Sequence, residues 1–96
     1  MFIEIVSPEK TIFTGDVSSV YLPGSEGFFQ ILDNHAPIVS TLKKGTIELS
    51  GEFDNELSQN LSLQGTSKAS LDIESGVVEM KNNKLIILVE IGRAHV

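Results

Sequence analysis

The stretch LDIESGVVEMKNNKLIILVE, residues 71–90, decides the fold class. Three runs rich in branched residues (71–74, 77–81 and 84–90) are divided by the pairs Ser75-Gly76 and Asn82-Asn83. Two-residue connections of this kind join antiparallel strands, and asparagine tolerates the left-handed backbone that a type I′ turn demands at both central positions. The spacing predicts a meander of three strands. Within it, residues 85–89 are apolar throughout, which predicts a strand covered on both faces at the centre of the domain.

Outward from this stretch the same period of two recurs. Ile47 and Leu49 alternate with Glu48 and Ser50, the pattern of a half-buried strand, and Lys43-Lys44-Gly45 before them reads as a turn. Residues 51–60 are polar and acidic and read as a long hairpin loop. Nearer the amino terminus, residues 2–6 form a first strand ended by Ser7-Pro8, because proline cannot donate to a ladder. Residues 10–13 make a short extended piece closed by Gly15. Residues 16–22 make another, with Val20 and Leu22 on one face and Ser19 and Tyr21 on the other, before a turn at Pro23-Gly24. One helical candidate, residues 54–63, has Leu57 and Leu61 four apart but no third anchor. Short strands, close-spaced turns and no helical period of useful length predict an all-β sandwich or barrel of two packed sheets.

The most heavily punctuated segment is GSEGFFQILDNHAPIV, residues 24–39. Gly24 and Gly27 permit positive φ, Pro37 fixes its own φ and holds Ala36 extended, and Asp33 and Asn34 can bond their own backbone. The segment predicts a strand between two shaped surface loops, with Phe29 and Ile31 turned inward and Phe28 emerging beside Glu26. Residues 38–42 continue as a further strand. Shaped loops on a rigid scaffold carry contacts to other molecules.

Composition limits what those contacts are. A chain of 96 residues has room for one core, and one domain over residues 1–90 with a short tail at 91–96 is expected. Thirteen acidic residues against seven basic ones give a net charge of −6, which opposes association with nucleic acid. The absence of cysteine removes disulfides, thiolate chemistry and cysteine zinc sites, and suits a reducing compartment. The longest apolar run is far too short to cross a bilayer, and no leader pattern precedes Phe2. Any membrane role must come through another chain.

His35 sits among turn residues, where a catalytic or proton-relay role could operate. No nucleophile motif accompanies it, so the expected role is a loop histidine that fixes the turn or packs against a partner. His95 lies in the tail. Two histidines sixty positions apart lack metal-ligand spacing, and the loop Gly24-Ser25-Glu26-Gly27 has no lysine or helix with which to cradle phosphate. No catalytic residue, metal or cofactor is expected. A small-ligand or carbohydrate-binding sandwich is the alternative; it would use Tyr21, Phe28 and Phe53 as exposed aromatics.

Several motifs in order resemble one family: Ile5-Val6-Ser7-Pro8-Glu9, Phe13-Thr14-Gly15, Val20-Tyr21-Leu22-Pro23-Gly24, Gly27-Phe28-Phe29-Gln30-Ile31-Leu32, Asn34-His35-Ala36-Pro37 and Ser75-Gly76-Val77-Val78-Glu79-Met80. Together they resemble the amino-terminal domain of the epsilon subunit of F-type ATP synthase, called delta in mitochondria, over residues 2–89. The resemblance implies a two-sheet β-sandwich of about ten short, mostly antiparallel strands. It also implies a noncatalytic part of the central stalk that joins the gamma subunit to the ring of c subunits and helps couple ion flow to ATP synthesis. The expected place is the cytoplasmic face of the bacterial inner membrane, reached only through the complex, and the isolated domain is expected to be monomeric. By motif position, Ser25, Glu26, Gly27 and Phe28 would face the polar loops of the c ring. His35, Ala36, Pro37, Ile38 and Ser40 would lie against gamma and the ring. Three departures stand out: Gln30 where the family commonly has glycine, Ser75-Gly76 in place of a glycine pair, and Phe28 where some members are acidic. Many bacterial members continue into a helical hairpin that inhibits hydrolysis or binds ATP, whereas this sequence stops at Val96.

Overall fold

The computed structural model of the chain describes residues 1–54, 56 and 58–92. Among them lie nine strands and no helix: β1 (Phe2–Val6), β2 (Thr11–Gly24), β3 (Gly27–Leu32), β4 (Ile38–Leu42), β5 (Gly45–Gly51), β6 (Ser62–Gln64), β7 (Lys68–Ile73), β8 (Ser75–Lys81) and β9 (Lys84–Glu90). Leu57, an anchor of the helical candidate, and the tail from residue 93 fall outside the described residues.

The strands form two layers that share β2. Its first half, residues 11–16, pairs with β1, which lies parallel to β9; β8 and β4 complete that layer in antiparallel order. Its second half pairs with β3 on one side and β5 on the other, and β7 and β6 follow. The two short pieces expected at residues 10–13 and 16–22 are therefore one fourteen-residue strand that belongs to both sheets. Two irregularities explain why the alternation looked broken. The β1 register skips Ile12, so Ile12 and Phe13 are both buried, and the β5 register skips Ser18, so inward positions change from Val17 to Val20 and Leu22. An extra residue in one strand bends it and increases its twist, which is what a strand needs in order to pass from one sheet to the other. Ser18 fixes the second bend by donating from Oγ to the Ser50 carbonyl at 2.9 Å.

The core fills the space between the layers. Ile3, Ile5, Leu85, Ile87, Val78 and Met80 face Val20, Leu22, Ile31, Ile47, Leu49 and Ala69, all almost fully buried. Phe53, read from sequence as a candidate exposed aromatic, is buried against Phe13 with ring centroids 5.9 Å apart. Its N–H donates to the Thr66 carbonyl at 2.8 Å, which pulls the 52–54 segment over the end of the core.

The carboxy-terminal reading holds at one turn and fails at the other. Asn82 and Asn83 have φ of 53° and 57° and close the β8–β9 hairpin as expected. Ser75-Gly76 is not a hairpin turn, because both residues are the first pairs of β8 with β9 and β7 pairs with β5 in the opposite layer. Glu74 alone carries the chain from one sheet to the other, held by its N–H to the Glu90 carbonyl at 2.8 Å. The expectation for residues 85–89 also needs correction. β9 is central in its sheet, but only Leu85, Ile87 and Val89 enter the core; Leu88 is on the outer face and 53% exposed. The short edge strand β6 lies just past the 51–60 region read as loop, takes the end of the helical candidate 54–63 into a sheet, and was not anticipated.

The Pro23-Gly24 turn is also displaced. Both residues remain in β2, Gly24 pairs with Gly27, and Ser25-Glu26 makes the turn. Gly27 has φ of 132°, a conformation open to glycine. Gly24 is required for a different reason: a Cβ there would lie 2.7 Å from the Gly27 carbonyl oxygen and 2.7 Å from the Phe29 ring. Gly24→Ala is expected to cost about 1–3 kcal/mol by overpacking. The check is the urea unfolding midpoint, which should fall with an unchanged slope.

Candidate functional site

At the β2–β3 turn the side chains project from a doubly tied backbone. Ser25 donates its N–H to the Thr41 carbonyl at 3.0 Å, and the Ser25 and Thr41 hydroxyls are 2.7 Å apart. Lys43 donates its N–H to the Pro23 carbonyl at 2.9 Å, so the start of the turn is stitched to the end of β4. Glu26 is exposed at the tip. Phe28 is 50% exposed on the outer face of β3, where its ring stacks on Tyr21 of β2 with centroids 5.2 Å apart and planes 17° apart. Phe28 lies opposite Pro23, and Tyr21 lies opposite Gln30, so the two rings meet along the diagonal of the strand pair.

The second loop lies at the other end of β3. Six residues of strand separate the two, about 17 Å at the usual rise. Asp33, Asn34, His35, Ala36 and Pro37 are all exposed there. The loop is nonetheless tightly held. Asn34, at φ of 62°, donates its N–H to Asn83 Oδ1 at 2.7 Å, and Asn83 Nδ2 donates to Asp33 Oδ1 at 3.1 Å. The amine of Met1 donates to the same Asp33 oxygen at 2.6 Å and to the Val17 carbonyl at 3.0 Å. His35 donates its N–H to the Leu32 carbonyl at 3.1 Å, and its Nδ1 is 2.7 Å from the Ala36 carbonyl. The imidazole therefore closes its own turn.

The structure thus brings Ser25, Glu26, Gly27 and Phe28 together at one end, with Ser40 nearby through Thr41, and sets His35, Ala36 and Pro37 at the other. β4 runs between these ends. Its alternation turns Ile38 and Ser40 toward the interior, both half-buried, while Val39, 69% exposed, and Thr41 face outward. Tyr21 is a surface position that sequence reasoning did not place in this site. A separate groove of about 580 Å³ on the outer face of the β1–β9–β8–β4 layer is lined by Val6, Pro8, Val77 and Leu88. No group of three or more His, Asp or Glu side chains converges among the described residues.

The hydrogen bond from the Met1 amine, and then that from Asn83, hold the Asp33 carboxyl below the ordinary carboxylate pKa. A carboxylate with a depressed folded pKa contributes stability above its unfolded pKa and loses it as pH falls through the folded value. Asp33 is 55% exposed, so the contribution is small. Asp33→Asn is expected to unfold at a lower temperature than the parent near pH 6, with the two converging as the pH drops below about 3.9. Thermal melts across that range check it.

Residues 1–93 match the family model described as ATP synthase, Delta/Epsilon chain, beta-sandwich domain. The ATP synthase epsilon chain of Leptospira interrogans is 40% identical over 90 residues, covering 94% of this chain and 61% of that protein. The epsilon chain of Chlorobium limicola is 40% identical over 88 residues, covering 92% of this chain and 86% of that one. The chain thus spans about three fifths of the Leptospira relative and most of the Chlorobium one. Among solved structures, a chain in the central stalk and c ring of the Tetrahymena thermophila mitochondrial ATP synthase superposes with a TM-score of 0.69 at 16% identity, over 94% of this chain and 63% of that one. A chain of the Euglena gracilis mitochondrial ATP synthase gives 0.70 at 17%, over 91% and 48%. The match over almost the whole length, together with a two-layer fold in which one bent strand serves both sheets, shows that this chain belongs to the family of ATP synthase delta and epsilon chain β-sandwich domains.

Proposed function

We propose that the chain is a noncatalytic part of the rotor of an F-type ATP synthase, docked on the gamma subunit and the c ring, where it helps couple ion translocation to ATP synthesis. Its place is the cytoplasmic face of the bacterial inner membrane, held there by the complex. The observation that carries the reading is the β2–β3 turn. Glu26 and Phe28 project from a backbone tied by Ser25 and Lys43 to β4, so contact there transmits force into the sheet with little local yielding. Family membership supports this choice of partners: the relatives are epsilon chains of ATP synthases, and the superposed Tetrahymena chain comes from a central-stalk and c-ring structure.

In this reading Ser25, Glu26, Gly27 and Phe28 meet the polar loops of the c ring. His35, Ala36, Pro37, Ile38 and Ser40 mark the strip against gamma and the ring, with Val39 and Thr41 as the exposed members of its strand. Torque passes through β3 and β4, which join the two loops. The arrangement supplies shape and rigidity. No bond need be made or broken at it.

Copurification tests the reading. The chain should recover gamma in equal amount from a reconstituted stalk, and should sediment alone as a monomer. Failure to retain gamma or the c ring at physiological salt would remove the proposal.

A further inference from the structure

We propose that the stacked pair Tyr21–Phe28, flanked by Glu26 and Glu48, is a seat for an arginine side chain presented by a loop of the docking partner. The inference rests on the docking reading above and names the chemistry of one contact within it. The two rings stack with planes 17° apart, so each covers one face of the other and keeps an outer face, and Tyr21 is 41% and Phe28 50% exposed. The faces of such rings carry partial negative charge and attract a cation, most effectively one that is flat and weakly hydrated.

The carboxylates select the occupant. Glu48 on β5 is the direct cross-strand partner of Tyr21 and shares its outward face, and Glu26 lies two residues before Phe28 on the turn. Neither carboxylate has a hydrogen bond or ion pair among the described residues, where the ion pairs are Met1–Asp33 and Lys44–Glu74. An apolar partner covering the rings would strip water from both carboxylates and give nothing back. A guanidinium laid on an outer ring face, that of Tyr21 toward β5, can donate at its edge to the adjoining Glu48 carboxylate. Of the neighbouring lysines, Lys44 is directed to Glu74 at 3.9 Å, and Lys43 is exposed beyond Pro23. Gln30, opposite Tyr21 on the other side, adds a neutral amide to the rim. Tyr21 thereby joins the site as a contact residue, although sequence reading set it only in the ligand-binding alternative.

The chain itself supplies the probe. Tyr21 is the only tyrosine and there is no tryptophan, so tyrosine emission reports this site alone. Titration with a capped Gly-Arg-Gly peptide is expected to give a saturable change in emission. The lysine analogue should need several-fold more peptide, and the citrulline analogue, equal in shape but uncharged, should give none. Glu48→Gln, at an exposed strand position, should weaken the arginine response several-fold with its circular dichroism unchanged, and higher salt should act in the same direction. Equal responses to arginine and citrulline, or an arginine response indifferent to Glu48→Gln, would overturn the seat. A parallel capture of gamma and the c ring separates the two levels. If the parent captures them and Glu48→Gln captures them equally well, the arginine seat is wrong and the docking reading stands. If the parent captures neither, the docking reading fails, while the peptide series still decides what the aromatic pair binds.

Discussion

Ile87→Ala should lower the melting temperature of the isolated chain by roughly 10–30 °C, whereas Leu88→Ala, one residue along the same strand, should change it by only a few degrees. Ile87 is fully buried and faces Ile5 on one neighbouring strand and Val78 on the other. Truncating such a side chain loses its transfer free energy and leaves a cavity that close-packed neighbours cannot fill, at about 2–5 kcal/mol. A 96-residue domain has a total stability of about 5–14 kcal/mol, so the loss removes roughly a seventh of it at the least and nearly all of it at the most. At this size each kcal/mol moves the melting temperature by about 4–8 °C. Leu88 is 53% exposed and can lose only part of its packing, so about 0.5 kcal/mol is expected. Similar losses at both positions would mean that β9 is covered on both faces, as its composition alone suggests, and would contradict the two-layer arrangement.

That contrast shows which parts of the fold are legible in the residues. The Asn82-Asn83 turn is legible because its requirement is local: two positive φ angles in succession, met by the one side chain besides glycine that adopts them readily. Ser75-Gly76 has equally turn-like chemistry, yet both residues are in a strand. What distinguishes them is where β7 finds its partner, a long-range pairing with no local mark. The same limit hid the continuity of β2. Skipped registers at Ile12 and Ser18 reset the alternation, and a reader who expects period two sees an end where the strand only bends. In the candidate site, the outward direction of Phe28 followed from alternation with Phe29, and that of Tyr21 from alternation with Leu22. Their stacking did not, because it depends on the β2–β3 register, which the true position of the turn at Ser25-Glu26 sets. The exposed apolar strip Val39, Val77 and Leu88 was equally hidden, since an apolar residue carries no sign of which sheet face it occupies.

The largest functional effect is expected from replacing Glu26 and Phe28 together by alanine. Both side chains project from the turn, so the double variant should melt within a few degrees of the parent, and any loss of assembly is then a loss of contact. Aromatic residues at the centre of interfaces cost about 2 kcal/mol or more when truncated, and each 1.4 kcal/mol is tenfold in affinity. Removing the ring and the adjacent carboxylate should therefore weaken capture of the c ring and gamma by tenfold to a hundredfold. Phe28→Ala should account for most of this and also loosen Tyr21, whose ring loses its neighbour at 5.2 Å. Glu26→Ala alone should cost less, and its effect should shrink as salt rises because the carboxylate is exposed to solvent. The opposite loop supplies the comparison: His35→Ala removes a flanking contact and the side-chain bond that shapes its own turn, and should reduce capture by a smaller factor. Capture of both partners at parent levels by the folded double variant would show that the β2–β3 turn is not where the chain grips the stalk.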